Sequence, residues 1–158
     1  MKNLAFLIVI IVMLSCNNTK NIAASSIGLV PLDNYFVKNN VTLTDDTTYE
    51  AITSNVTFEN NFGVAKTMDN KIITPDFNGQ TVVAVILKPT NKNVSVKLLK
   101  ATLAGKDLNI YYSISNNGAD LTYTQTPTAI ATVPRALDAK NVNFFSQDVK
   151  VKTIPLVY

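Results

Sequence analysis

Seven consecutive residues, Thr81-Val82-Val83-Ala84-Val85-Ile86-Leu87, set the tightest limit on how this chain folds. Five of the seven are β-branched and none is charged. Such side chains are stiff at χ1 and fit a pleated surface better than a helix. The run follows Asn78-Gly79, a strong turn signal. It reads as a central strand buried on both faces.

The segments around it repeat with period two. Tyr35 and Val37 lie before Asn39-Asn40, a turn, and Val41 and Leu43 after it. Val94, Val96 and Leu98 alternate on one parity, then Leu99, Ala101 and Leu103 on the other. A parity switch inside one strand predicts a bulge near Leu98-Leu99. Gly105-Lys106-Asp107 turns the chain into Leu108, Ile110, Tyr112 and Ile114. Asn117-Gly118 predicts a further turn, leading into Leu121 and Tyr123. Ala129 to Val133 and Val149 to Val157 supply more strands.

One segment breaks this pattern. Asp45-Asp46-Thr47-Thr48-Tyr49-Glu50-Ala51-Ile52 has N-cap residues, early acids and an i, i+3 apolar pair. Thr47 and Glu50 match a capping box. The expected fold is therefore mainly β: an antiparallel β-sandwich or partly open barrel, with one short helix over about 45–54.

The chain has 158 residues, no His, no Trp and one Cys. No Ser-His-Asp triad, Cys-His dyad, HExxH zinc site or disulfide framework can be assembled from that inventory. No block of Lys and Arg is present, so nucleic acid is not an expected partner. No cofactor, metal or catalytic group is expected, and the chain does not read as an enzyme.

The N-terminus is different in kind. Lys2 precedes an unbroken apolar run from Leu4 to Leu14, followed by Ser15 and Cys16. As a helix that run spans roughly 16 Å, about half the hydrocarbon core of a bilayer. A positive residue before a short apolar stretch has the form of a secretory signal peptide. Met13-Leu14-Ser15-Cys16 resembles the lipobox of bacterial lipoproteins. The resemblance implies lipidation of the Cys16 thiol and cleavage before it, so the chain would be anchored to a membrane without spanning it. The other reading is a signal peptide cut further on, with Cys16 incidental. It leaves unexplained why the chain's single Cys sits where a lipid would go.

The expected organisation is a signal peptide over 1–15, a lipidated Cys and flexible tether over 16–27, and one β-rich domain over 28–158. Surface export of lipoproteins goes with acidic residues soon after the Cys. None occurs before Asp33, which favours a periplasm-facing anchor in the cell envelope.

Three further features bear on function. Asp45-Asp46 is the one adjacent acid pair, better explained by a helix N-terminus than by Ca²⁺ or acid–base work. Asp46-Thr47-Thr48 also resembles an O-glycosylation motif of secreted bacterial proteins. The doublets Tyr111-Tyr112 and Phe144-Phe145 would each point one ring in and one out on a strand, giving either core cover or a partner contact. Lys88-Pro89-Thr90-Asn91-Lys92-Asn93 joins two strands and reads as an exposed loop on a rigid base, the candidate partner-contact site.

Around that loop, Thr81-Val82-Val83-Ala84-Val85, Pro89-Thr90 and Val94-Ser95-Val96-Lys97 resemble the C-terminal domain of the protease complex subunit PrcB family. Leu108 to Tyr112, Thr124 to Pro127 and Ile130 to Pro134 are similar to its later segments. The similarity spans about residues 76–135. The family's Gly-Gly is replaced by Asn91-Lys92-Asn93, which changes the contact surface. The resemblance implies an all-β envelope module associated with proteolysis, without peptidase activity of its own. The expected function is a lipid-anchored, non-enzymatic binding module for another envelope protein. A peptidase inhibitor or peptidase-complex regulator is the alternative, and a structural or assembly accessory lipoprotein is the third reading.

Overall fold

One long hairpin, folded over on itself, organises the chain. The computed structural model describes residues 23–65, 72–136 and 138–158. The signal segment 1–15, the lipobox and Cys16 lie outside the described residues. The elements are β1 (Ser25–Ile27), β2 (Val30–Pro31), β3 (Tyr35–Val37), β4 (Thr47–Ile52), α1 (Asn55–Asn61) and β5 (Phe62–Val64). After these come β6 (Gln80–Leu87), β7 (Thr90–Ala104), β8 (Asp107–Gln125), β9 (Thr128–Pro134), β10 (Asn141–Ser146) and β11 (Val149–Pro155).

The hairpin runs from β6 to β9. Its two sides pair as β6 with β9, from Gln80 opposite Pro134 to Ile86 opposite Thr128. Pairing resumes as β7 with β8, from Thr90 opposite Gln125 to Ala104 opposite Asp107. Between these two ladders each side carries a proline, Pro89 and Pro127. Proline has no N–H to give a ladder, and strands that change sheets do so at such bends. The Leu87 amide still donates to the Pro127 carbonyl, at 2.8 Å. At this corner the ribbon passes from one sheet into the other. Its far tip is the turn Gly105-Lys106, where Gly105 has a φ of 61° that a side chain would disfavour.

The two sheets form an open sandwich. The five-stranded sheet has the order β1-β7-β8-β10-β11, and the four-stranded sheet β2-β9-β6-β4. All pairs are antiparallel except β8 with β10. The expected mainly β, antiparallel architecture with a single short helix is what the chain adopts, and no barrel closes. A third layer, α1 with the β3–β5 pair, covers the outer face of the four-stranded sheet.

β6 is buried from Thr81 to Leu87, as its composition predicts. Val83, Val85 and Leu87 face the core between the sheets, with Leu108, Ile110, Val142 and Phe144. Val82, Ala84 and Ile86 face a second core with Leu32, Ile52, Phe58 and Phe62. The strand is thus a wall shared by two cores. The bulge predicted near Leu98-Leu99 is present, as a register shift between Leu98 and Lys100.

Three expectations are corrected. The helix expected over 45–54 is absent there: Thr47–Ile52 is β4, paired with β6 from Thr47 opposite Leu87 to Ile52 opposite Val82. Its alternating residues feed both cores, Tyr49 and Ala51 on one side and Ile52 on the other. The ladder and this two-sided burial outweigh the capping signals. The helix starts after Ser54, whose hydroxyl accepts from the Thr57 amide at 3.3 Å, and it buries Phe58. The turn expected at Asn117-Gly118 is instead a bulged stretch inside β8. There the Asn116 and Asn117 side chains accept from the Gly118 and Ala119 amides, and Gly118 has φ 74°. Finally, the tether expected through residue 27 ends sooner, because Ser25–Ile27 pairs with Ala101–Leu103.

Glu50 is the strained choice in β4. Its carboxylate sits on the second-core side of the sheet, and its oxygens accept from Asn61 Nδ2 at 3.0 Å each. Burial raises its pKa, and the Asn61 hydrogen bond offsets part of that rise. The folded chain therefore holds the Glu50 proton more tightly than the unfolded chain, so this group's contribution to stability falls as pH rises above the ordinary value of 4.5. Glu50→Gln keeps an acceptor for Asn61 and removes the buried charge. Its stability gain over wild type should grow between about pH 4 and pH 7 in paired melting curves. A gain that is flat or shrinks with pH contradicts the assignment.

Candidate functional site

The candidate contact loop lies at the corner of the folded hairpin. Lys88 and Pro89 are exposed and leave the ladder, but Thr90, Asn91, Lys92 and Asn93 belong to β7. The loop expected over 88–93 is therefore a two-residue corner followed by strand. The reason is the length of β8, which continues to Gln125 and gives Thr90 and Lys92 partners. Side chains reinforce the irregular pairing. Thr90 Oγ1 accepts from the Lys92 amide at 3.1 Å, and Lys92 Nζ meets Asp120 Oδ1 at 2.5 Å. Gln125 Nε2 donates to the Lys92 and Val94 carbonyls at 2.9 and 3.1 Å. Asp46, once assigned to a helix cap, faces the corner instead: its carbonyl accepts from the Lys88 amide, and its carboxylate lies 3.9 Å from Lys88 Nζ.

The corner is far from the point where the N-terminal segment joins the domain. Ser25, at the start of β1, pairs with Leu103 beside the hairpin tip. From Leu103 back to Thr90 the strand covers roughly 40 Å at about 3.3 Å per residue. Along that length cover is lost in steps. β1 covers β7 only over Ala101–Leu103, and β10 covers β8 only as far as Tyr112. Thr90–Lys97 and Ser113–Gln125 form a two-stranded ribbon that, among the described residues, has no further ladder on either outer edge. Ile114 and Tyr123 are exposed on it. Beside it, a cleft of about 340 Å³ opens between Val96–Leu98 and Thr128–Ala131, walled by Leu29, Pro31 and Leu32.

The aromatic doublets split as expected. Tyr112 and Phe144 are buried in the main core, while Tyr111 and Phe145 stand on the outer face of the five-stranded sheet. Parallel pairing of β8 with β10 puts these outer rings side by side, stacked with centroids 4.9 Å apart. Lys100 Nζ lies 4.3 Å over the Tyr111 ring, and Lys150 is opposite Phe145 on β11. A row Lys100–Tyr111–Phe145–Lys150 thus crosses four strands. Sequence reading found the rings but not the row, because the row depends on a parallel register between strands about thirty residues apart.

Tyr49 and Tyr112 share a hydrogen bond of 2.6 Å between their hydroxyls, linking the two sheets. Burial, and then the Tyr112 neighbour, push the Tyr49 hydroxyl above the ordinary tyrosine range. No cluster of three or more metal-ligating His, Cys, Asp or Glu side chains occurs among the described residues, and no described helix is long and apolar enough to cross a membrane. No family model, curated protein or solved structure matches the chain.

Thr90, Asn91 and Lys92, which open β7 beside the corner, contribute little buried surface, so replacing them together by Ala should cost less than about 1 kcal/mol. Val83→Ala with Val85→Ala, both at 0% exposure, should cost about 4 kcal/mol or more through cavities in the main core. Denaturant titration of both variants checks this. A corner variant as unstable as the core variant would make the corner a packed structural joint.

Proposed function

We propose that the chain is a lipid-anchored protein of the bacterial cell envelope that acts as a non-enzymatic binding module for another protein. The lipobox-like Met13-Leu14-Ser15-Cys16 supports the anchor, and the small polar residues after it support a short tether. The observation that carries the binding reading is the polarity of the domain. The N-terminal segment joins at the hairpin-tip end. The uncovered ribbon, with its exposed Ile114 and Tyr123, lies toward the corner at the other end. A domain held by one end presents the other. Free strand edges and exposed aromatic side chains are the means by which β-modules take hold of other chains.

Photo-crosslinking in intact envelopes tests this. A photoreactive residue at Tyr123 or Asn116 should give discrete protein adducts, and one at Lys106, beside the tether, should not. Cys16→Ser should shift the protein from the membrane to the soluble fraction. Adducts from Lys106 alone, or none from any position, contradict the reading. An adduct that proves to be a peptidase turns the module into a peptidase regulator.

A further inference from the structure

We infer that the outer face of the five-stranded sheet is the docking surface, and that its occupant is an acidic protein segment bearing an apolar or aromatic side chain. The inference rests on the protein-binding reading and names the chemistry of the partner.

Two bulges bracket the aromatic row. In β7 the register shift leaves Leu99 as the extra residue, 60% exposed beside Lys100. In β11 the shift opposite Phe144 and Phe145 leaves Val151 as the extra residue, 44% exposed beside Lys150. Bulges re-aim side chains, and here each one adds an exposed aliphatic residue next to a lysine. Leu99, Lys100, Tyr111, Phe145, Gln147 and Asp148 line a shallow cavity of about 300 Å³. The Gln147-Asp148 turn at its rim holds both residues at positive φ, 50° and 62°.

Charge selects the occupant. The five-stranded sheet and its turns carry Lys92, Lys97, Lys100, Lys106, Lys150 and Lys152 against Asp107, Asp120 and Asp148. Among the described residues the opposite layers carry the reverse excess, Asp33, Asp45, Asp46, Glu50, Glu59 and Asp76 against Lys38, Lys88 and Arg135. The lysine-rich side, among the described residues, is therefore the one that bears the aromatic row. Among the described residues, Lys97, Lys100 and Lys150 form no ion pair. An acidic segment gains attraction from this face, while an apolar side chain fills the cavity against Leu99 and the stacked rings.

The probe is a fluorescein-labelled Glu-Glu-Phe-Glu-Glu peptide, titrated by anisotropy against the mature lipidated protein in neutral detergent. Saturable binding is expected, weakening as NaCl rises from about 0.05 to 0.5 M. Lys97→Glu with Lys100→Glu and Lys150→Glu should weaken it at least about tenfold, and Leu99→Ser about threefold. Both variants should melt like wild type. If the charge variant fails to fold, Leu99→Ser decides alone. No binding, binding unchanged in the folded variants, or tighter binding of polygalacturonate than of the peptide overturns the inference, the last in favour of an acidic carbohydrate. Failure here with adducts still forming at Tyr123 overturns the outer-face site and its partner's chemistry and leaves the binding reading standing. Loss of the adducts overturns the binding reading itself.

Discussion

The ladders on either side of β6 hold the rest of the molecule in place. β6 pairs with β4 along one edge and β9 along the other, and each of its faces belongs to a different core. A one-residue slip would exchange the two cores' side chains, sending Ala84 where Val83 or Val85 must fill space. Register is therefore fixed, and β9 inherits it. Because β7 and β8 continue the same two chain runs past the proline corner, the five-stranded sheet takes its position from the four-stranded one. Tyr49 and Tyr112 then tie the sheets together across the main core.

The same design leaves one part of the hairpin uncovered. Three of the other edges are short or guarded: β1 has three residues, β2 has two including Pro31, and β11 carries Lys150 and Lys152. These are familiar ways of stopping unwanted strand pairing. Between the corner and the middle of the five-stranded sheet, the ribbon relies on bulges instead. A further bulge in β7 and one in β11 bring Leu99 and Val151 beside the Lys–Tyr–Phe–Lys row. Local irregularity, exposed apolar groups and lysines without an ion pair among the described residues coincide on one face, which supports the docking surface proposed there.

Much of this was legible in the sequence, and the failures have identifiable causes. β6 declared itself through continuous β-branched residues, and the Leu98-Leu99 bulge through a switch of parity. The tip at Gly105 followed from its glycine. The helix was misplaced because Thr47 and Glu50 imitate a capping box, while the ladder with β6 decides the backbone. The helix starts instead after Ser54, whose hydroxyl accepts from the Thr57 amide. Asn117-Gly118 was read as a turn because the same residues suit a wide bulge. The corner was read as a loop because nothing local to Thr90–Asn93 reveals that β8 runs on to meet them. The Lys100–Tyr111–Phe145–Lys150 row depends wholly on tertiary register.

The central claim is that a saturated strand anchors a hairpin whose middle, among the described residues, has ladder bonds only between its own two sides. Native-state hydrogen exchange resolved by residue tests it most directly. Amides of Val82 to Ile86 and Ala129 to Val133 should exchange only through global unfolding, while those of Val94 to Leu98 and Ser113 to Thr124 should exchange through local opening, at least about a hundredfold faster. Equal protection in the ribbon and in β6, or local opening of β6 itself, would contradict the account.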